Sequence, residues 1–267
     1  MLPHDPWNIP ATSSLNYDIS KGATGMTVSC TACPLRRRPA FLPMTSEELR
    51  FMERFKRGEM IVSPGTPLFS EGEQSRNMYT VLSGMGLKYK SLEDGRRQVV
   101  NFVFPGDFVG LQNAISAGMQ FGIEATTPMT LCVFDRSRLG ELFTTQPTRA
   151  YSLTWISAAE EYFLGDALAT IGQRDARERL AWAMARIFGR LTALGLAEGQ
   201  TVPFPYRQQD LADAVGLSLV HTNKMLARLR LDGLADWAGG RLTVPDVQRL
   251  GAAAMMDELI PPPRPIF

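Results

Sequence analysis

Imidazole is scarce in this chain: its 267 residues include two histidines, His4 and His221. One lies in a stretch rich in Pro, Ser and Thr and the other inside a helical pattern, so a histidine-based metal or nucleophile site is hard to assemble. The chain also lacks a Gly-x-Ser-x-Gly elbow, a glycine loop leading into a phosphate-binding lysine, and a cluster of paired carboxylates. These absences leave no catalytic constellation, and the sequence reads as that of a non-enzyme. No basic start precedes an apolar core and no apolar run is long enough to cross a bilayer, so the expectation is a soluble, cytoplasmic protein with no membrane partner. Excess charge is missing too, with 28 Lys and Arg against 27 Asp and Glu and a net charge of +1. A general basic field is thereby excluded, and any nucleic-acid contact must come from a local cluster. Three cysteines, an odd number, argue against a disulfide scaffold and fit a reducing compartment. No repeat recurs, which excludes a propeller or solenoid.

What is present divides the chain into about two globular parts, as expected for 267 residues at 45% hydrophobic. Residues 1–29 show no period and read as a mobile arm. Thr45, Ser46, Glu47 and Glu48 open a short helix with an acidic first turn. From Glu59 to Asp135, short apolar runs punctuated by glycine, a period of two at Leu87, Lys88, Tyr89 and Lys90, and an Asp94-Gly95 turn predict a compact antiparallel barrel or sandwich within a domain spanning 30–146. Residues 148–202 contain no proline, and Leu153, Ile156, Phe163, Ala167 and Ile171 trace a helical stripe. Surplus apolar face on a long helix predicts a homodimer through 147–172, with Gly172 as the hinge before the next helix. A C-terminal domain, 173–258, and an extended, solvated proline-rich tail, 259–267, complete the chain.

The stretch 207–241 is the most informative. A short helix carrying Leu211, Ala212 and Val215 is stopped by Gly216, and Ser218 stands as N-cap of a second helix. That helix sets Thr222, Met225, Leu226 and Leu229 at core spacing and leaves Leu219, Val220, Asn223, Lys224 and Arg228 on a free face suited to a groove of duplex DNA. The run LADWAGGRLTV after it reads as a hairpin turning at Gly239 and Gly240, the wing of a winged helix-turn-helix.

The segments 78–110 (MYTVLSGMGLKYKSLEDGRRQVVNFVFPGDFVG), 176–181 (ARERLA) and 209–226 (QDLADAVGLSLVHTNKML) resemble the Crp/Fnr superfamily of bacterial transcription regulators over roughly residues 45 to 250. The resemblance implies an α+β fold: an antiparallel β-roll of cyclic-nucleotide-binding type, a long dimerisation helix and a C-terminal winged helix-turn-helix. It also implies a palindromic double-stranded operator, a homodimer and RNA polymerase as a further partner. By position, Leu219, Val220, Asn223 and Lys224 meet base edges, Ser218 and His221 meet phosphate, and Arg207, Gln208 and Gln209 meet the DNA backbone. Val220 replaces a glutamate that many members use to accept from cytosine, so the half-site should differ from the usual one. Cyclic AMP is not expected: the places that hold its phosphate align with Asp107, Met119 and Gln120, and Met119 offers an anion nothing. Cys30, Cys33 and Cys132 align with iron-sulfur ligands of the oxygen-sensing branch, which implies oxygen or redox sensing, but the expected fourth cysteine is Pro39. A cluster completed by Asp, His or an exogenous ligand, a thiol switch between Cys30 and Cys33, and a zinc site across the dimer all stay open. So does a small-molecule effector in the roll with structural cysteines. Arg36, Arg37 and Arg38 either depress the thiol pKa or form a solvated basic loop.

Overall fold

The computed structural model describes residues 27–116 and 118–267. The predicted arm lies outside the described residues except for its last three, and these are tied down. The Val28 amide donates to Glu59 Oε1 at 2.9 Å and its carbonyl accepts from Lys56 Nζ at 2.6 Å. Helix α1 (Ser46–Phe55) begins at the acidic turn: Thr45 Oγ1 accepts from the Glu48 amide and the Glu48 carboxylate accepts from the Thr45 amide. This reciprocal cap satisfies two amides that have no partner within the helix.

Eight strands follow: β1 (Lys56–Val62), β2 (Pro67–Phe69), β3 (Asn77–Ser83), β4 (Gly86–Ser91), β5 (Arg97–Val103), β6 (Phe108–Val109), β7 (Gly122–Ala125) and β8 (Met129–Asp135), with a short helix α2 (Leu111–Ile115) after β6. They form two four-stranded antiparallel sheets, ordered β1-β8-β3-β6 and β2-β7-β4-β5. Alternate residues point inward, and Phe69, Tyr79, Val81, Met119, Ile123, Met129, Leu131 and Val133 pack into one apolar cluster between the sheets. The predicted β-roll is therefore present.

Helices α3 (Leu139–Thr145), α4 (Pro147–Gln173) and α5 (Ala176–Ala193) lead out of the roll. The side chains taken above for a dimer stripe turn toward their own chain: Leu153 is 1% exposed, Ile156, Phe163 and Ala167 pack on the core, and Phe163 stacks on Trp182 at 6.1 Å. The outward face carries Tyr151, Tyr162 and Leu168 instead, which are 68%, 70% and 74% exposed. Periodicity alone misled here because α4 is apolar on more than one face, and only the position of the roll decides which face is covered. The predicted break at Gly172 also moves. The helix continues to Gln173 and ends at extended Arg174, and Asp175 caps α5 reciprocally with Glu178. Asp166 pins the two helices together, accepting from Trp182 Nε1 at 3.1 Å and Arg186 Nη1 at 3.0 Å.

The last part comprises β9 (Thr201–Pro203), α6 (Gln208–Val215), α7 (Leu219–Leu231), β10 (Asp236–Ala238), β11 (Arg241–Thr243) and α8 (Val247–Ala253), with strand order β10-β11-β9. Gly239 and Gly240 have φ of 57° and 70°, the left-handed pair that a two-residue hairpin turn needs. The roll and this part share one core. Phe102 of β5 meets Tyr206 at 4.7 Å and Phe204 at 5.9 Å.

Residues 259–267 contradict the expectation of a solvated tail. Leu259, Ile266 and Phe267 are 7%, 3% and 4% exposed, and Arg264 pairs with Asp107 at 2.7 Å. The prolines suppress helix, as expected, but the apolar residues beyond them bury against the roll. No helix among the described residues is long and apolar enough to cross a membrane. Since Leu153 is buried against its own chain, Leu153→Ala is expected to lower unfolding free energy by about 3 kcal/mol, read from the urea midpoint. A loss under about 1 kcal/mol would place that face outside the core.

Candidate nucleic-acid interface and thiol cavity

Gly216 ends α6 with φ 66°, a left-handed turn that a side chain would strain, and Ser218 Oγ then accepts from the His221 amide at 3.2 Å to start α7. Thr222 and Leu229 are fully buried beneath α7, with Met225 and Leu226 half-buried beside them. Ser218, Leu219, Val220, His221, Asn223, Lys224 and Arg228 all lie exposed, Val220 at 81%. The seven side chains assigned to this helix end from the sequence are thus all open to solvent. Arg228 pairs with Asp232 one turn on at 3.1 Å, which steers its guanidinium along the helix.

At the start of α6, Gln208 is exposed and Gln209 donates to Asp213 at 2.5 Å. Arg207 is exposed, but its guanidinium serves Asp210 at 2.7 Å while its amide donates to the same carboxylate at 2.9 Å. Asp210, 1% exposed, also receives Arg97 Nη2 of β5 at 2.6 Å. Arg97 reaches Glu124 at 3.1 Å and Asp213 at 3.5 Å as well, and Gln98 Nε2 donates to the Ala214 carbonyl. The β4–β5 hairpin therefore grips α6 directly, a contact between distant segments that sequence reading missed. Nothing local to Arg97 or Asp210 signals it.

The three cysteines converge within one chain. Cys132 stands on β8 opposite Glu59 and Thr80, so its side chain leaves the sheet toward α1, where the turn Cys30–Ala32 docks. The Cys30 amide donates to Glu53 Oε2 at 2.5 Å and its carbonyl accepts from Arg36 Nη1 at 2.9 Å. Together they line a largely apolar cavity of about 40 Å³ with Lys56, Arg36 and Phe267. Lys56 is only 6% exposed and donates to Glu59 at 2.6 Å. Burial, reinforced by Glu53, pushes the Cys30 thiol up to about 11, and burial pushes Cys132 up to about 12 against a smaller pull from Lys56. The arginine run does not depress these thiols: the Arg36 guanidinium is spent on the carbonyls of Cys30 and Thr31.

The described residues present no preformed site for the iron-sulfur cluster implied by the resemblance. Among the described residues no three His, Cys, Asp or Glu side chains stand where one metal ion can bind them. Pro39 supplies no ligand. The cyclic-nucleotide positions likewise offer no phosphate cradle: Met119 is 2% exposed inside the roll and Gln120 is exposed outside it. Asp107 faces away from the barrel, where its Oδ1 accepts from Arg190 at 2.6 Å and from Arg264 at 2.7 Å and its Oδ2 accepts from the Phe104 amide at 2.9 Å.

Residues 53–146 match the cyclic nucleotide-binding domain family, and residues 178–253 match the Crp-like helix-turn-helix domain family. The nitrogen fixation regulation protein FixK of Bradyrhizobium diazoefficiens is 31% identical, aligned over 84% of this chain and 93% of the relative. The transcriptional activator protein FnrL of Cereibacter sphaeroides is 30% identical over 83% of this chain and 90% of the relative. The solved structure of FixK2 from Bradyrhizobium japonicum superimposes with a TM-score of 0.67 at 25% identity, covering 75% of this chain and 98% of that one.

Burial raises the Asp107 pKa, but Arg190 and Arg264 outweigh it and hold the carboxyl below its ordinary range. A depressed folded pKa stabilises fully above the unfolded value of about 4 and is lost as pH falls through the folded value. Asp107→Asn is expected to cost about 3 kcal/mol at pH 7 and to flatten the loss of stability below about pH 4, measured by urea titration across pH. An unchanged acid limb would remove Asp107 from the ionic link.

Proposed function

Because the chain belongs to the Crp/Fnr family of transcription regulators, we propose that it acts as a homodimeric, sequence-specific DNA-binding regulator that receives an oxygen or redox signal at Cys30, Cys33 and Cys132. The observation that carries the DNA reading is the free face of α7, where Val220, Asn223 and Lys224 stand exposed in one row above a buried Thr222 and Leu229. A major groove admits such a helix. Asn223 can pair with adenine, Lys224 can donate to guanine as a point charge without a guanidinium's fork, and Val220 can pack on a thymine methyl. Phosphate contacts fall to Ser218, His221, Gln208 and Gln209, with Arg207 and Arg228 at the edges. RNA polymerase is the further partner this reading expects, since FnrL is named a transcriptional activator.

Dimerisation is assigned to the outer face of α4. Tyr151, Trp155, Ala158, Tyr162, Gly165, Ala169 and Gly172 recur at alternating steps of four and three, the spacing of a coiled-coil seam. A Cβ on Gly165 or Gly172 would meet nothing within 4 Å, so the seam is open in the single chain and can admit a second helix closely. Two copies of α7 presented by such a pair would read half-sites about one helical turn apart.

Anisotropy titrations with a palindromic duplex test the DNA reading. Affinity should fall steeply with salt, Lys224→Ala should weaken it about tenfold, and Val220→Glu should move preference at one position from thymine to cytosine. Absence of binding at low salt in both redox states would overturn it. In analytical ultracentrifugation, Tyr162→Glu combined with Leu168→Glu should give a monomer with little change in melting temperature, and a dimer that survives would move the interface elsewhere. The sensor is tested by replacing all three cysteines with serine, where unchanged regulation in cells would remove the thiols from signalling.

A further inference from the structure

The thiol cavity is walled by a segment that follows the DNA-binding part along the chain. Leu259 is seated between α5 and α8, so closely that a Cβ on Gly189 would run into its carbonyl oxygen and one on Gly251 into its side chain. Further on, the Arg264 amide donates to the Ala40 carbonyl and the Leu42 amide to the Arg264 carbonyl, each at 2.9 Å. The guanidinium of Arg264 meets Asp107, which also holds Arg190 of α5. Arg149 donates to the Ile266 carbonyl at 2.5 Å. The Phe267 ring then enters an aromatic cluster with Phe108, Phe134 and Phe55, at 4.5, 5.4 and 6.0 Å, and forms one wall of the cavity beside Cys132. One short stretch thus touches both ends of the molecule.

Phe267 lines this space beside Cys132, which is 9% exposed. A group bound at that buried sulfur must displace a side chain packed against it. Met52, Lys56, Thr80, Leu82, Cys132 and Phe134 belong to helix or sheet, whereas Ile266 and Phe267, like Cys33 and Met44, belong to no regular element. Their packing is a wall that can yield without unfolding either sheet.

We propose that residues 259–267 are a strap between the thiol cavity and the winged domain: a group taken up by the cysteines expels Phe267, and the release loosens Arg264 from Asp107 and Leu259 from α5 and α8. This rests on the reading that the thiols receive the signal. Strap docked and strap released are then the two states, and an occupant shifts them by binding only the second. Coupling of this kind is reciprocal, so whatever repositions the winged domain must also change access to the thiols.

The test uses the full chain with Cys30→Ser and Cys33→Ser, leaving Cys132 as the single thiol, and a maleimide as the probe. Arg264 does not line the cavity. Arg264→Ala is nevertheless expected to raise the rate of Cys132 labelling at least tenfold, as is Phe267→Ala, while Arg264→Lys, which keeps a cation beside Asp107, stays within about threefold of the parent. Amide exchange at residues 259–267 should accelerate in the labelled protein. Melting temperatures of each variant separate local release from global unfolding. The strap is overturned if Arg264→Ala labels at the parent rate, or if labelling leaves the exchange of 259–267 unchanged. Failure of the thiol-sensing reading shows elsewhere, as unaltered regulation by the triple serine variant, and does not move these rates.

Discussion

The Asp107 carboxylate is the point on which three parts of the molecule depend. It lies in the turn between β5 and β6 of the roll, receives Arg190 from α5 and Arg264 from the strap, and is oriented by the Phe104 amide. Arg190 also stacks over the Phe104 ring at 4.9 Å and Arg264 over the Phe41 ring at 5.4 Å. Each guanidinium therefore has an apolar face covered and a polar edge satisfied, which offsets much of the cost of taking it out of water. With Arg97 and Asp210 forming a second ionic contact, the roll and the winged domain are joined by directional charge pairs around a shared aromatic patch. Such directional pairs hold the two parts in one geometry.

Charge is economically distributed. A net charge of +1 leaves little general attraction to DNA, and several arginines near the helix-turn-helix are committed to carboxylates: Arg207 to Asp210, Arg228 to Asp232, Arg241 to Glu198. The exposed N-terminal face of α7 is consequently aliphatic and amide-bearing at Val220 and Asn223, with Lys224 as its cation. The same commitments shape the winged domain before any duplex arrives, because each pair fixes a helix end or the base of the wing.

At the other end, burial governs the sulfur chemistry. Thiols held protonated by their surroundings are poor nucleophiles and poor metal ligands until water or a cation reaches them. Access to Cys132 is controlled by the side chains packed over the cavity. Lys56, almost fully buried beside Cys132, supplies positive charge that a newly formed thiolate would meet.

Local chemistry in the sequence determined the elements and much of the reading face. The Gly216 stop, the Ser218 cap, the Gly239-Gly240 turn and the period-two strands are settled by neighbours within a few residues, and the structure places them as read. So is the exposure of Val220, Asn223 and Lys224, which follows from helical spacing against Thr222 and Leu229. Tertiary structure alone decided which face of α4 is covered, since that helix is apolar on more than one side and its own period cannot choose. It also decided that Arg264 finds Asp107, that Arg97 grips α6, and that Phe267 walls in the cysteines. Those partners are separated by about a hundred residues or more, and no local preference encodes a meeting that exists only once two surfaces have been folded against each other.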